Sequence, residues 1–234
     1  TWDYTTMYLI EGEDKAVLID TGTRCADLDK IVGQITGKPL EVIVTHMHPD
    51  HAGCIKYFDK VWMHRADTVL VPQHAADYQG EFLYMEEGQV FDLGGRKLEV
   101  AWMPGHTPGS VVLLDKANGD CYSGDAFGSG EVWLQCVPMS PIATFHESCC
   151  RMEKLMKEGH IKDIWCGHYP YLKSSLPLAY IQTMIRISHR LMNGDQEGSE
   201  PYSNYFIKMP PTARKLAEGR AMIVYDSTNI PEAR

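Results

Sequence analysis

The chain has 234 residues, of which 44% are hydrophobic and 23% charged; this is ordinary globular usage and excludes a disordered or coiled-coil protein. With a formal charge of −9 and no Lys or Arg run longer than two residues, a nucleic-acid partner is not expected. No stretch approaches the ~20 apolar residues of a membrane span. The seven cysteines contain no CxxC pair, which argues against a disulfide framework and towards reduced thiols in a cytoplasmic setting. The first residue is Thr1 rather than Met, as a trimmed chain would have it.

In chain order, Tyr4 to Ile10 and Lys15 to Asp20 flank a turn-like EGED and predict a β-hairpin. Leu28, Ile31, Val32 and Ile35 lie on one helical face, stopped by Gly37 and Pro39. The β-branched run from Glu41 to Thr45 predicts a strand leading into a histidine cluster. Strands are expected at Val61 to His64, Lys97 to Met103, Ser110 to Asp115 and Cys121 to Ser123, the last two joined by Asn118-Gly119. Thr144 and Glu147 fit a capping box, opening a helix whose apolar face is Phe145, Cys149, Met152 and Met156. A short strand at Ile164 to Cys166, a helix from Pro177 to Met192 and a strand from Met222 to Tyr225 complete the pattern. The expectation is one α+β domain over residues 1–234, with 174–234 a less clearly marked terminal helix and strand.

The segment from His46 to His51 holds three imidazoles and a carboxylate in six residues, a density that surface loops do not need. Pro49 keeps His48 out of helical geometry, so His46 and His48 sit on extended backbone where alternate side chains converge. Imidazole nitrogen and carboxylate oxygen both suit Zn²⁺. Further along, His106, Asp125 and His168 each follow a glycine at the end of a predicted strand, where backbone approaches a site closely.

These segments, HxHxDH at 46–51, GHTPGS at 105–110, SGDA at 123–126 and CGHYP at 166–170, resemble the metallo-β-lactamase superfamily. Leu18-Ile19-Asp20-Thr21-Gly22 is similar to that family's first motif. The resemblance implies a four-layer αββα sandwich with a metal site along one edge. Carried over by position, His46, His48 and His106 would hold one divalent ion, Asp50, His51 and His168 a second, and Asp125 both. Zinc is the expected ion, and the same donors accept Mn²⁺ or Fe²⁺. The implied activity is hydrolysis: a water activated between the ions attacks the acyl carbonyl of a small-molecule ester, lactone or thioester. Asp50 would also steer a proton, and Asp20 would orient a ligand by hydrogen bonding. Tyr169 is a candidate donor to a developing oxyanion, with aromatic packing as its alternative.

Among activities of such folds, the GHTPGS run is most similar to lactonases and glyoxalase II enzymes. A diiron flavoprotein would have Glu at His48, and dizinc β-lactamases have Cys at Asp125. The alternatives are a mononuclear iron dioxygenase using His46, His48 or His106 with Asp125, a phosphodiesterase or β-lactamase, and a non-catalytic binding module. Tyr202, Tyr205, Phe206 and Pro210-Pro211 in the tail could cap the site or join identical copies, ordinary packing being the simpler reading. His64, His74, His146, His160 and His189 lie outside the motifs and are expected at the surface or partly packed.

Overall fold

The computed structural model describes residues 4–204 and 208–231; Tyr205 and Phe206 of the tail lie outside them. In chain order the strands are β1 (Tyr8–Glu11), β2 (Ala16–Ile19), β3 (Leu40–Ile43), β4 (Lys60–His64), β5 (Glu81–Met85), β6 (Val90–Asp92), β7 (Lys97–Trp102), β8 (Val111–Asp115), β9 (Asp120–Gly124), β10 (Glu131–Trp133), β11 (Asp163–Cys166), β12 (Glu200–Pro201), β13 (Ala213–Glu218) and β14 (Ala221–Asp226). The helices are α1 (Leu28–Ile35), α2 (Pro49–Ala52), α3 (Val71–His74), α4 (Ile142–Lys157), α5 (Tyr169–Leu172) and α6 (Leu178–Met192).

One sheet runs β1-β2-β3-β4-β5 and a second runs β11-β9-β8-β7-β6. Successive side chains of a strand point to opposite faces, and both sheets use the two faces. Val17, Ile19 and Ile43 from the first sheet meet Val100, Val111, Leu113 and Tyr122 from the second in an inner core. Leu18 and Val42 instead face Leu28 and Val32 of α1. Val112 and Leu114 face Phe145, Cys149 and Met152 of α4 and Ile181, Met184 and Leu191 of α6. The layers are therefore helix, sheet, sheet, helix, as the α+β sandwich expectation requires. Burial on both faces explains the unbroken aliphatic runs AVLI and VVLLD.

The structure departs from the predicted pattern in three places. α4 opens at Ile142 after Pro141 with no side-chain cap, so Thr144 and Glu147 form no capping box; Pro141 fixes the start one turn earlier. β13 and β14 pair antiparallel, and β10 joins β14 in parallel, building a third sheet in order β10-β14-β13-β12. The tail is thus an antiparallel hairpin stitched to β10, more than a helix and one strand. β5 and β6 were also not predicted from the sequence. All seven cysteines carry free thiols, in line with the absence of a disulfide framework.

Candidate metal centre

Each donor singled out in the sequence stands just beyond the carboxyl end of a strand: Asp20 after β2, His46 and His48 after β3, His106 after β7, Asp125 after β9 and His168 after β11. His48 is extended (φ −72°, ψ 149°) and caps α2, whose first turn begins at Pro49 and carries Asp50 and His51. Along that extended stretch Met47 points into the helix-side core, leaving His46 and His48 to turn the other way.

The glycines have steric reasons. At Gly167 a Cβ would lie 2.5 Å from His51 Cε1 and 2.6 Å from Asp125 Oδ1. At Gly124, held at φ 48°, it would collide with Thr45 Oγ1. Backbone and donors are packed too closely there for any side chain.

The donors form two groups. In the first, ring nitrogens of His46, His48 and His106 lie within 4.8 Å of one another, with His48 Nδ1 2.9 Å from His106 Nε2. In the second, Asp50, His51, Asp125 and His168 converge within the same distance. His168 Nε2 is 3.1 Å from Asp125 Oδ2 and 3.3 Å from Asp50 Oδ2, and His51 Nε2 is 3.6 Å and 3.5 Å from the same two atoms. Asp125 Oδ2 is also 4.0 Å from His106 Nε2, so it borders both groups. Donors about 2.1 Å from one tetrahedral ion stand roughly 3.4 Å apart, and the separations of 2.9–4.0 Å are of that size.

Hydrogen bonds behind the rings fix their tautomers. His51 Nδ1 donates to Asp20 Oδ2 at 2.7 Å and His106 Nδ1 to the Trp133 carbonyl at 2.8 Å. The Thr45 hydroxyl donates to Asp20 and so accepts from His46 Nδ1 at 3.2 Å. In the neutral rings each arrangement puts the lone pair on Nε2. Nε2 of His46, Nε2 of His51 and Oδ1 of Asp125 are buried without any hydrogen-bond partner. Such orphans are costly in an interior, and a cation between the groups would satisfy all three.

Electrostatics divides the groups the same way. Burial, then the neighbouring His51 and His106, holds His46 well below the usual imidazole range. Burial and His106 take His48 down to about 3. Burial also opposes the charged forms of His51 and His168, yet Asp50, Asp125 and Asp20 raise His51 well above its usual range, and Asp125 leads in bringing His168 up to about 10. Asp50 is disfavoured by burial but is pulled down to about 2 by His51 and His168. One group is neutral and lone-pair rich, the other a mesh of carboxylates and imidazoles competing for positive charge.

Asp20 is 1% exposed and adopts φ 62°; besides His51 it accepts from the Thr45 amide at 2.7 Å, so it braces two donor loops. Tyr169 lies with its ring 5.9 Å from that of Trp165, the packing alternative. His74, expected to be peripheral, meets His48 edge to face at 5.8 Å. Sequence reading also missed the Trp133 carbonyl and Thr45 as supports, and only Thr45, adjoining the histidine run, carried a local signal. Among the described residues, no helix is long and apolar enough to cross a membrane.

Comparison with known proteins agrees with this geometry. The family model of the metallo-β-lactamase superfamily matches residues 1–146. The acyl-coenzyme A thioesterase MBLAC2 of Homo sapiens is 26% identical over 202 residues, covering 70% of this chain and 72% of that protein. A hydroxyacylglutathione hydrolase of Aeromonas salmonicida is 27% identical over 179 residues, covering 74% and 64%. Among solved structures, TTHA1623 in a di-iron-bound form matches with TM-score 0.59 at 27% identity, over 74% of this chain and 89% of that one. A metallo-β-lactamase from Pontibacter korlensis shares the fold with TM-score 0.61 at 17% identity, over 79% and 87%. The chain belongs to the metallo-β-lactamase superfamily and is a metallohydrolase.

Proposed function

We propose that the chain holds two divalent ions, zinc first among them, and hydrolyses an acyl bond (thioester, ester or lactone) of a small molecule. The observation that carries this reading is the pair of adjacent donor groups bordered by Asp125, with Nε2 of His46, Nε2 of His51 and Oδ1 of Asp125 buried and unpartnered. His46, His48 and His106 would hold one ion, Asp50, His51 and His168 the other, and Asp125 both. When bound, the cations lower the pKa of a shared water towards neutrality and polarise an acyl carbonyl. Asp20 and the Trp133 carbonyl keep the imidazoles of His51 and His106 in the tautomer that presents Nε2.

Asp50 remains ionised at neutral pH, which suits a ligand, and its side chain is 28% exposed. Its Oδ2 faces His51 and His168, which leaves Oδ1 as the oxygen to take a proton from the attacking water and pass it to the leaving group. The acyl-bond assignment draws on the two relatives named as hydrolases of acyl-coenzyme A and of hydroxyacylglutathione.

The test is elemental analysis of the purified chain together with hydrolysis of a thioester, lactone, ester, β-lactam and phosphodiester panel. About two zinc ions per chain with cleavage of one acyl class is expected. One iron per chain with oxygen consumption, or turnover confined to phosphodiesters, would overturn the assignment.

A further inference from the structure

Asp67 takes no part in either donor group, yet it is a carboxylate only 1% exposed, lying between two of the loops that carry them. Its Oδ2 accepts from the amide of Met47, between His46 and His48, at 2.9 Å. The same oxygen accepts from the Thr107 hydroxyl, next to His106, at 3.0 Å. Its Oδ1 accepts from the Gly109 amide at 2.6 Å. A relay orients the Thr107 hydroxyl: the Thr107 amide donates to Ser110 Oγ at 3.0 Å, and Ser110 Oγ in turn can donate to Thr107 Oγ1 at 2.9 Å. The approach is close enough that a Cβ on Gly109 would stand 2.6 Å from Asp67 Cγ. The Thr, Gly and Ser of the GHTPGS run are thus accounted for by one buried side chain, contributed from 40 residues earlier.

We propose that Asp67 is a positioning residue that clamps the His46–His48 segment to the His106 loop and so sets the spacing at which these three imidazoles meet a cation. The inference rests on the reading that those rings bind metal. Asp67 reaches both segments through backbone and Thr107, never through a ring. A clamp of this kind differs from general support of the core in one measurable way. Its loss affects the three-histidine group and spares the group of Asp50, His51, Asp125 and His168, whose side chains hydrogen-bond to Asp20 and to one another.

The experiment is a zinc titration of the metal-free full chain against a chromophoric chelator, with folding followed by far-UV circular dichroism. Wild type is expected to bind two equivalents, assigned by which one His106→Ala removes and which one His168→Ala removes. Asp67→Asn should weaken the His106-dependent equivalent by about 10–100-fold, the range found when supports of metal ligands are lost, and leave the other at wild-type affinity. Thr107→Val deletes a single donor and should weaken the same equivalent by less; if Asp67→Asn does not fold, this variant carries the test. Wild-type affinity for both equivalents, or equal weakening of both, overturns the clamp. A wild type that binds no zinc overturns the metal reading itself and the clamp with it, so the two failures are told apart by the wild-type titration.

Discussion

Gly167→Ala isolates packing from chemistry, because the residue has no side chain and donates nothing to an ion. Its φ is not in the left-handed region, so alanine meets no backbone strain there. The added Cβ would stand 2.5 Å from His51 Cε1 and 2.6 Å from Asp125 Oδ1, where ordinary contact needs about 3.5 Å. Relief requires a shift of roughly 1 Å. The backbone cannot readily supply it, since the Gly167 amide donates to the Gly124 carbonyl at 2.7 Å and its carbonyl accepts from Thr6 at 2.6 Å. His51 and Asp125 must therefore move, and a metal site tolerates only about 0.2 Å. Overpacking costs about 1–3 kcal/mol, which for a chain of this size lowers Tm by roughly 2–12 °C. Elemental analysis after dialysis should find about one zinc per chain instead of two, with the three-histidine group still loaded. Two tightly held zinc ions, full activity and an unchanged Tm in Gly167→Ala would refute the reasoning.

Asp20→Asn keeps an acceptor for the Thr45 amide but removes the charge facing His51 Nδ1, and zinc affinity measured by chelator competition should fall about 10–100-fold; an unchanged affinity would remove Asp20 from the support of the site. In the metal-free chain His168 titrates near 10 and His51 well above its usual range, so both carry protons at pH 7 that a cation must displace. Zinc binding should then release about two protons at pH 7 and weaken as pH falls; calorimetry in buffers of different ionisation heat checks this, and a binding heat independent of buffer would contradict it. Asp50→Asn separates ligand from proton carrier: loss of one zinc together with turnover assigns ligation, full zinc with turnover lowered about 100-fold or more assigns proton transfer, and full zinc with full activity ends both roles.

The side chains that converge at the candidate centre were legible in the sequence because their signals are short in range. Three imidazoles and a carboxylate fall within the six residues 46–51, and each later donor follows a glycine at a strand end; the steric need for Gly124 and Gly167 appears directly in the fold. The two-faced burial of VVLLD and AVLI was equally readable as strand. The supports were not legible, because their partners are distant. Asp67 meets residues 20, 40 and 42 positions away, and nothing in its neighbours Ala66 and Thr68 marks it. β13, with the sequence ARKLAE, has no apolar alternation and exists because β14 offers it six paired positions. The false capping box at Thr144 shows the converse error, a local pattern overridden by Pro141 three residues earlier.

The tail illustrates how the distant part bears on the legible part. His106 is held by the carbonyl of Trp133, the last residue of a three-residue strand that could not be a stable strand alone. β10 persists because Trp133 pairs with Val224 of β14 and the Leu134 amide donates to the Val224 carbonyl at 2.8 Å. Its first residue is tied as well, since Glu131 Oε1 accepts from the Trp133 indole at 2.8 Å and from the Tyr202 hydroxyl at 3.0 Å. The tautomer of His106 therefore depends on residues almost a hundred and twenty positions further along the chain. Two imidazoles of the three-histidine group thus answer to different parts of the fold, His46 to Thr45 and Asp20 and His106 to the terminal hairpin, while the Met47 amide beside His48 donates to Asp67. A site braced from separate directions can keep ring nitrogens converging on the space a cation would take, and this is why the surrounding fold, and not the histidine motif alone, makes the candidate centre.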